Sequence, residues 1–139
     1  MDTIHVDIVS AEGEIFSGPA SMVFLPASEG DIGVAPRHAP LLSLLKAGEV
    51  RVKSPEGEEH SFYVGGGVLE VQPKKVTVLA DTAARARDLD EAAAIEARQR
   101  AEEVLSGHVD KVTQAEALAE LARAAAQLKM IQKLHKLKG

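Results

Sequence analysis

Proline and glycine all but vanish from this chain after residue 81. All six prolines and nine of the eleven glycines lie before that point. After it there is no proline, and Gly107 is the only glycine before the C-terminal residue. Both residues are poorly tolerated inside helices and punctuate short extended segments, so the break separates two kinds of structure. The first part predicts many strands joined by turns. The second, rich in Ala, Leu, Glu, Arg and Lys, predicts helices.

The first part carries period-two alternation. Ile4, Val6 and Ile8 alternate with His5 and Asp7, and Val76 and Val78 alternate with Thr77 and Leu79. Further strands are expected over 14–17, 21–25, 32–35, 48–53, 61–64 and 68–71. Gly18-Pro19, Pro26, Ser54-Pro55-Glu56-Gly57, Gly65-Gly66-Gly67 and Gln72-Pro73-Lys74 read as their punctuation. Short strands at near-regular spacing signal an antiparallel sandwich or barrel.

In the second part, Asp88 with Glu91 three residues on suits a helix N-terminus, and Gly107 suits a left-handed position after its end. Thr113-Gln114-Ala115-Glu116 has the form of a capping box opening a second helix to about Leu134. The short connection predicts an antiparallel helical hairpin. Its facing surfaces would be Ala94, Ala97 and Ala101 against Ala122 and Ala125, with Leu118, Leu121, Ala125 and Leu128 as the apolar stripe of the second helix. Alanine faces bury little apolar area, so the hairpin is expected to be weakly fixed and able to rearrange. The fold class is therefore α+β, with domains over 1–86 and 87–139.

Net charge is −5 and aromatic content 3%, which argues against nucleic acid as the main partner. Charge is uneven. Residues 1–84 hold 6 basic and 12 acidic groups, whereas Arg123, Lys129, Lys133, Lys136 and Lys138 close the chain without an acid. Basic residues suit a helix C-terminus through its dipole, but five without an acid also suit an acidic partner surface. Without cysteine there is neither a disulfide nor a thiolate metal site. The N-terminus lacks the pattern of a signal peptide, and no stretch is apolar enough to span a bilayer, so membrane association is expected only through partners.

No catalytic pattern emerges. Gly65-Gly66-Gly67 lacks the lysine of a phosphate loop and precedes a strand; it reads as a bulge or a close backbone approach. His5, His38, His60, His108 and His135 show no metal-ligand spacing, and there is no nucleophile elbow. The stretch from Ser28 to Leu42 concentrates Glu29, Asp31, Arg37 and His38 among two glycines and two prolines. It is either a rigid turn or a binding loop.

Several segments, in this order and spacing, resemble one family. They are Val9-Ser10-Ala11-Glu12, Phe16-Ser17-Gly18, Ser28-Glu29-Gly30-Asp31-Ile32-Gly33, Pro36-Arg37-His38-Ala39-Pro40-Leu41-Leu42, Gly65 to Val71, Val76 to Asp81, Asp88 to Glu91, Ala119 to Ala122 and Ala125 to Leu128. Over nearly its whole length the chain resembles the epsilon subunits of bacterial F-type ATP synthases. The resemblance implies a ten-stranded N-terminal β-sandwich followed by the two-helix hairpin. It also implies a non-catalytic, cofactor-free subunit of the central stalk, peripheral to the cytoplasmic side of the cell inner membrane.

The partners so implied are the gamma subunit, the membrane ring of c subunits and, with the hairpin extended, the catalytic alpha/beta hexamer. Glu29, Asp31 and His38 would make the ring and gamma contact. Arg123, Lys129 and Lys133 would inhibit ATP hydrolysis. Some members bind ATP through Ile/Leu-Asp-x-x-Arg-Ala at the start of the first helix. Here the segment is Leu89-Asp90-Glu91-Ala92-Ala93-Ala94, with Ala93 in place of the arginine. Asp90 is thus left as a weak nucleotide contact, and ATP binding is expected to be weak or absent. The alternative reading is a free-standing ATP-sensing regulator. A third, a small hydrolase, has no constellation behind it.

Overall fold

The structure, a computed structural model, describes residues 2–138, with side chains through residue 134. The chain divides into two compact units, Met1–Arg85 and Ala86–Gly139.

The first unit contains β1 (Ile4–Ser10), β2 (Gly13–Ala20), β3 (Met22–Ala27), β4 (Gly30–Val34), β5 (Leu41–Lys53), β6 (Glu59–Val71), β7 (Lys75–Ala80) and β8 (Ala83–Arg85). The two thirteen-residue strands, β5 and β6, belong to both layers of a sandwich. Residues 41–45 of β5 pair with 67–71 of β6, which continue to β7, β1 and β2. Residues 51–53 of β5 and 59–64 of β6 instead join β3, β4 and β8. Each layer then has five strand segments, and their sum is the ten strands expected. Alternate residues of both layers, among them Ile4, Val6, Ile8, Val50, Val52, Phe62, Val64, Leu69, Val76 and Val78, close one core. A one-residue slip would turn those side chains outward, so each strand's alternation sets its register.

Four expectations for the strands need correction. The pairing is antiparallel except between β1 and β7, which run parallel. Gly18-Pro19 does not end β2. Pro19 sits in a strand at the end of the sheet order, where a missing N–H breaks no ladder. Pro26 does not end β3 either; it lies between Phe24 and Ala27, where the register with β5 shifts. The glycine triplet does not interrupt β6. Gly67 has φ 144°, and a Cβ there would overlap the carbonyl oxygen of Leu79 and stand 2.9 Å from Ala80 Cα. The triplet therefore marks a close backbone approach, one of the two meanings read from the sequence.

The second unit begins with a 3₁₀ turn, Ala86–Asp88, followed by α1 (Glu91–Leu105) and α2 (Lys111–Lys138). The caps differ from those expected. Asp90, not Asp88, caps α1: its Oδ1 accepts from the Ala93 N–H at 3.2 Å. Asp110 opens α2 in place of the capping box, accepting from the Thr113 N–H at 2.7 Å, so Thr113 lies within the first turn. Gly107 is absent from the positive-φ glycines; Ser106, in a right-handed conformation, closes α1 with its own N–H.

The helices pack on one another, and α2 also packs on the 3₁₀ turn. Ala94 and Ala101 are buried on α1 as expected, but on α2 the buried residues are Ala117, Ala124, Leu128, Met130 and Ile131. Leu118 is 50% exposed, and Ala122 and Ala125 are exposed. The stripe is thus rotated from the expected one. Helix separation depends on the side chains at the contact. Opposite Ala94 and Ala101, small residues fit the close approach and Leu118 is turned away. Arg100 Nη2 reaches Glu120 Oε1 at 3.5 Å across the hairpin.

Candidate functional site

The outer face of the β5–β6–β7–β1–β2 layer is built by register. Leu44, Val68, Leu79 and Val9 stand opposite one another across four strands. Leu44 is 63% exposed and Leu79 54%, and Leu42, two residues before Leu44, is 71% exposed. Alternation explains why: these are the residues between the core positions of each strand. Single exposed leucines are ordinary, but a row of them on one face marks a docking surface.

The neighbouring row is polar. Leu42 is followed by Glu70, Thr77, Asp7 and Ser17. Asp7 Oδ1 accepts from the Ser17 hydroxyl at 2.7 Å and faces His5 Nε2 at 2.9 Å, while Asp7 Oδ2 lies 3.1 Å from Lys75 Nζ. The Ser17 hydrogen bond above all, with Lys75 and His5 adding to it against the opposing cost of desolvation, holds the Asp7 carboxyl down at about 2. Ser, His and Asp meet here, yet not as a nucleophile set. The serine hydroxyl donates to the carboxylate, so the histidine has no proton to take from it. The cluster braces β1, β2 and β7.

The stretch between Ser28 and Leu42 wraps one edge of the same layer. At one end, the Ser28 N–H donates to Leu44 O at 2.8 Å. At the other, the Arg37 N–H donates to Pro73 O at 2.8 Å, beside the Leu41–Val71 pair. Leu41 and Leu44 are three residues apart, about 10 Å of strand. The Glu29 end of the stretch is thus anchored at the β5 edge, and the His38 end at the β6–β7 turn. Asp31 pairs with Pro26 on the outlying strand β4. Glu29 and Asp31 are exposed and lack ion pairs among the described residues; the Nδ1 of His38 lies 2.7 Å from Ala39 O.

Arg37 occupies a positive-φ site at φ 68°. The His38 N–H donates to Ala35 O at 3.2 Å with Pro36 between, the pattern of a type II turn, whose third position favours glycine.

On α2, Lys129 and Lys133 are exposed on the side opposite the buried stripe, and Arg123 is half-buried on its flank. The side chains of His135, Lys136 and Lys138 lie outside the described ones. Asp90 points its carboxylate at the α1 N-terminus, where it occupies the N–H that a phosphate would otherwise take. Among the described residues there is no group of three or more His, Cys, Asp or Glu placed to hold a metal, and no helix is long and apolar enough to cross a membrane.

Comparison with known proteins follows the same division. Residues 3–86 match the beta-sandwich domain of the ATP synthase delta/epsilon chain, and residues 87–132 match its long alpha-helix domain. The ATP synthase epsilon chain of Nitrosococcus oceani is 61% identical over 99% of this chain and 98% of its own length. That of Alkalilimnicola ehrlichii is 61% identical over 98% and 97%. Among solved structures, a chain of the Euglena gracilis mitochondrial ATP synthase superposes with a TM-score of 0.70 at 17% identity, covering 99% of this chain and 82% of the other. A chain of the Tetrahymena thermophila mitochondrial ATP synthase central stalk and c-ring superposes with a TM-score of 0.62 at 13% identity, covering 94% and 97%. These two show the same fold. With both domains matched in order, and with bacterial epsilon chains alike along almost the full length, the chain belongs to the ATP synthase delta/epsilon family.

Proposed function

We propose that this chain is the epsilon subunit of a bacterial F-type ATP synthase, a non-catalytic component of the central stalk that couples proton flow to ATP synthesis and restrains ATP hydrolysis. The observation that carries the docking part is the exposed row of Leu42, Leu44 and Leu79 on a sandwich whose core is already closed. Such a face is stable in water only at a cost that a partner removes. In this reading it docks on gamma. The stretch carrying Glu29 and His38, with Asp31 on β4, meets the polar loops of the c-ring. The membrane is reached only through those subunits, on the cytoplasmic side of the inner membrane.

The regulatory part rests on the second unit. The fully buried residues of α1 are alanines alone, Ala94 and Ala101, so α1 contributes little apolar area to oppose separation. Two states a few kcal/mol apart are enough for a partner to shift the population. When extended, α2 would present Lys129 and Lys133, with Arg123, to acidic segments of the alpha/beta hexamer. Asp90 serves α1 as its cap, and no arginine follows at Ala93, so ATP sensing is not part of this reading.

The test is reconstitution of an epsilon-depleted complex with the full chain. ATP synthesis driven by a proton gradient should return, and ATP hydrolysis should fall. A complex whose two rates are unaffected by the chain would remove the proposal.

A further inference from the structure

The Pro73 carbonyl that holds the Arg37 N–H is one residue from Lys74. Two cations therefore stand together at one end of a unit whose overall charge is negative, since residues 1–84 carry twice as many acids as bases. Arg37 is 81% exposed, and its single ion partner among the described residues is Asp2, itself 65% exposed, at 3.3 Å. Lys74 is exposed and makes no ion pair among the described residues. Arg37 also holds a backbone conformation that glycine would adopt without strain, kept there by its own N–H bond to Pro73 O and by the His38 N–H bond to Ala35 O that closes the turn around it. The pair adjoins the start of β5, whose Leu42, 71% exposed, lies on the outer face two residues before Leu44.

We propose that Arg37 and Lys74 form a basic rim to the docking face, fitted to a partner's protein loop that carries a carboxylate beside an apolar side chain. This rests on the reading of the chain as a central-stalk subunit. The guanidinium supplies a fork for a carboxylate, and Leu42 on the outer face supplies the apolar seat next to it. A lipid surface suits the site less well, because bilayer attachment by charge takes clusters of four or more basic residues. Rim charges act mainly on encounter and salt dependence, so the pair sets how the chain finds its seat more than how long it stays.

The experiment measures binding of the full chain to an epsilon-depleted ATP synthase complex at low and high salt. The chains compared are unmodified, Arg37→Gly, and Arg37→Glu with Lys74→Glu. Arg37→Gly should leave thermal stability unchanged or raised, because it relieves the strained turn. It should also weaken binding about threefold at low salt, and the double reversal about tenfold or more, with both differences shrinking at high salt. With the thermal stability of Arg37→Gly retained, lost affinity is not assigned to misfolding; a loss of stability would overturn the strained-turn premise. Variants that bind like the unmodified chain at low salt overturn the basic rim alone. Failure of the unmodified chain to bind overturns the central-stalk reading and the rim with it. Weakened binding to phosphatidylglycerol vesicles, with binding to the complex unchanged, assigns the pair to lipid and also overturns the proposal.

Discussion

Replacing Gly67 by alanine is the most informative single perturbation of the sandwich. Gly67 lies where the two layers part company along β6, as the first residue of the segment paired with β7 and three residues after the segment paired with β8. Its φ of 144° is a conformation that L-residues rarely adopt, which costs about 1–3 kcal/mol. The new methyl would also overlap Leu79 O and crowd Ala80 Cα at 2.9 Å. Those are backbone atoms of the adjacent strand and cannot rotate away, so overpacking adds about 1–3 kcal/mol. Together the loss is about 4 kcal/mol, a large part of the roughly 5–15 kcal/mol that holds a typical domain folded.

Gly13→Ala is the matched control. Gly13 has φ 127°, but nothing lies within 4 Å of its would-be Cβ, so only the backbone cost applies. Urea unfolding can be followed through Tyr63, the single tyrosine in a chain without tryptophan, buried in β6. At a slope of about 1–2 kcal/mol per M, Gly67→Ala should lower the midpoint by about 2–4 M. Gly13→Ala should lower it by about half as much. Equal losses would show that the strands simply move apart, and would refute the close approach as the reason for the triplet.

Asp7 gives a pH prediction. Its carboxyl is held below the ordinary 3.8, at about 2, so its stabilising contribution is complete above the ordinary value and is lost as pH falls from 3.8 toward 2. Allowing for the exposure of His5 and Lys75, that contribution is about 1–2 kcal/mol; Asp7→Asn should lose it at neutral pH and flatten acid unfolding over that window, as read from denaturation midpoints. Asp110→Ala should reduce the helical circular dichroism of α2, whereas Thr113→Ala should not, because Asp110 holds the cap. Replacing Arg123, Lys129 and Lys133 together by alanine should raise ATP hydrolysis by the assembled complex several-fold without loss of helicity. An unchanged rate would dissociate these residues from inhibition. Hydrogen exchange should show α1 and α2 less protected than β1, β6 and β7; equal protection would contradict a hairpin able to rearrange.

Much of the sandwich was legible because its core is written in strict alternation. Ile4, Val6 and Ile8, and Val76 and Val78, point inward as read. The long strands were not, because Gly48 in β5 reads as the start of a separate strand and the triplet in β6 as an interruption. Continuity there depends on neighbouring strands that local sequence does not describe. Prolines misled for the same reason: Pro19 is harmless only because β2 is unpaired on one side, and Pro26 because β3 shifts against β5. In the hairpin, alanine satisfies almost any helical phase. The true stripe through Ala117, Ala124, Leu128 and Ile131 was settled by the close fit to Ala94 and Ala101.

The candidate site divides in the same way. The leucine row depends on register between β5, β6 and β7, so it could be found only once Leu44, Val68 and Leu79 were known to be neighbours. Glu29 and His38 were visible as a cluster in sequence, but their anchoring at the β5 edge and at the β6–β7 turn comes from the bonds to Leu44 and Pro73. Asp90 was seen as a nucleotide contact, and the structure gives it a cap to hold.

The account turns on the sandwich docking to gamma. Co-expression of the full chain with the gamma subunit from the same organism, followed by size-exclusion chromatography, tests this directly. One-to-one co-elution is predicted, abolished by Leu44→Glu with Leu79→Glu while the variant remains folded. Separate elution of the two unmodified chains, or co-elution that survives those changes, would contradict it.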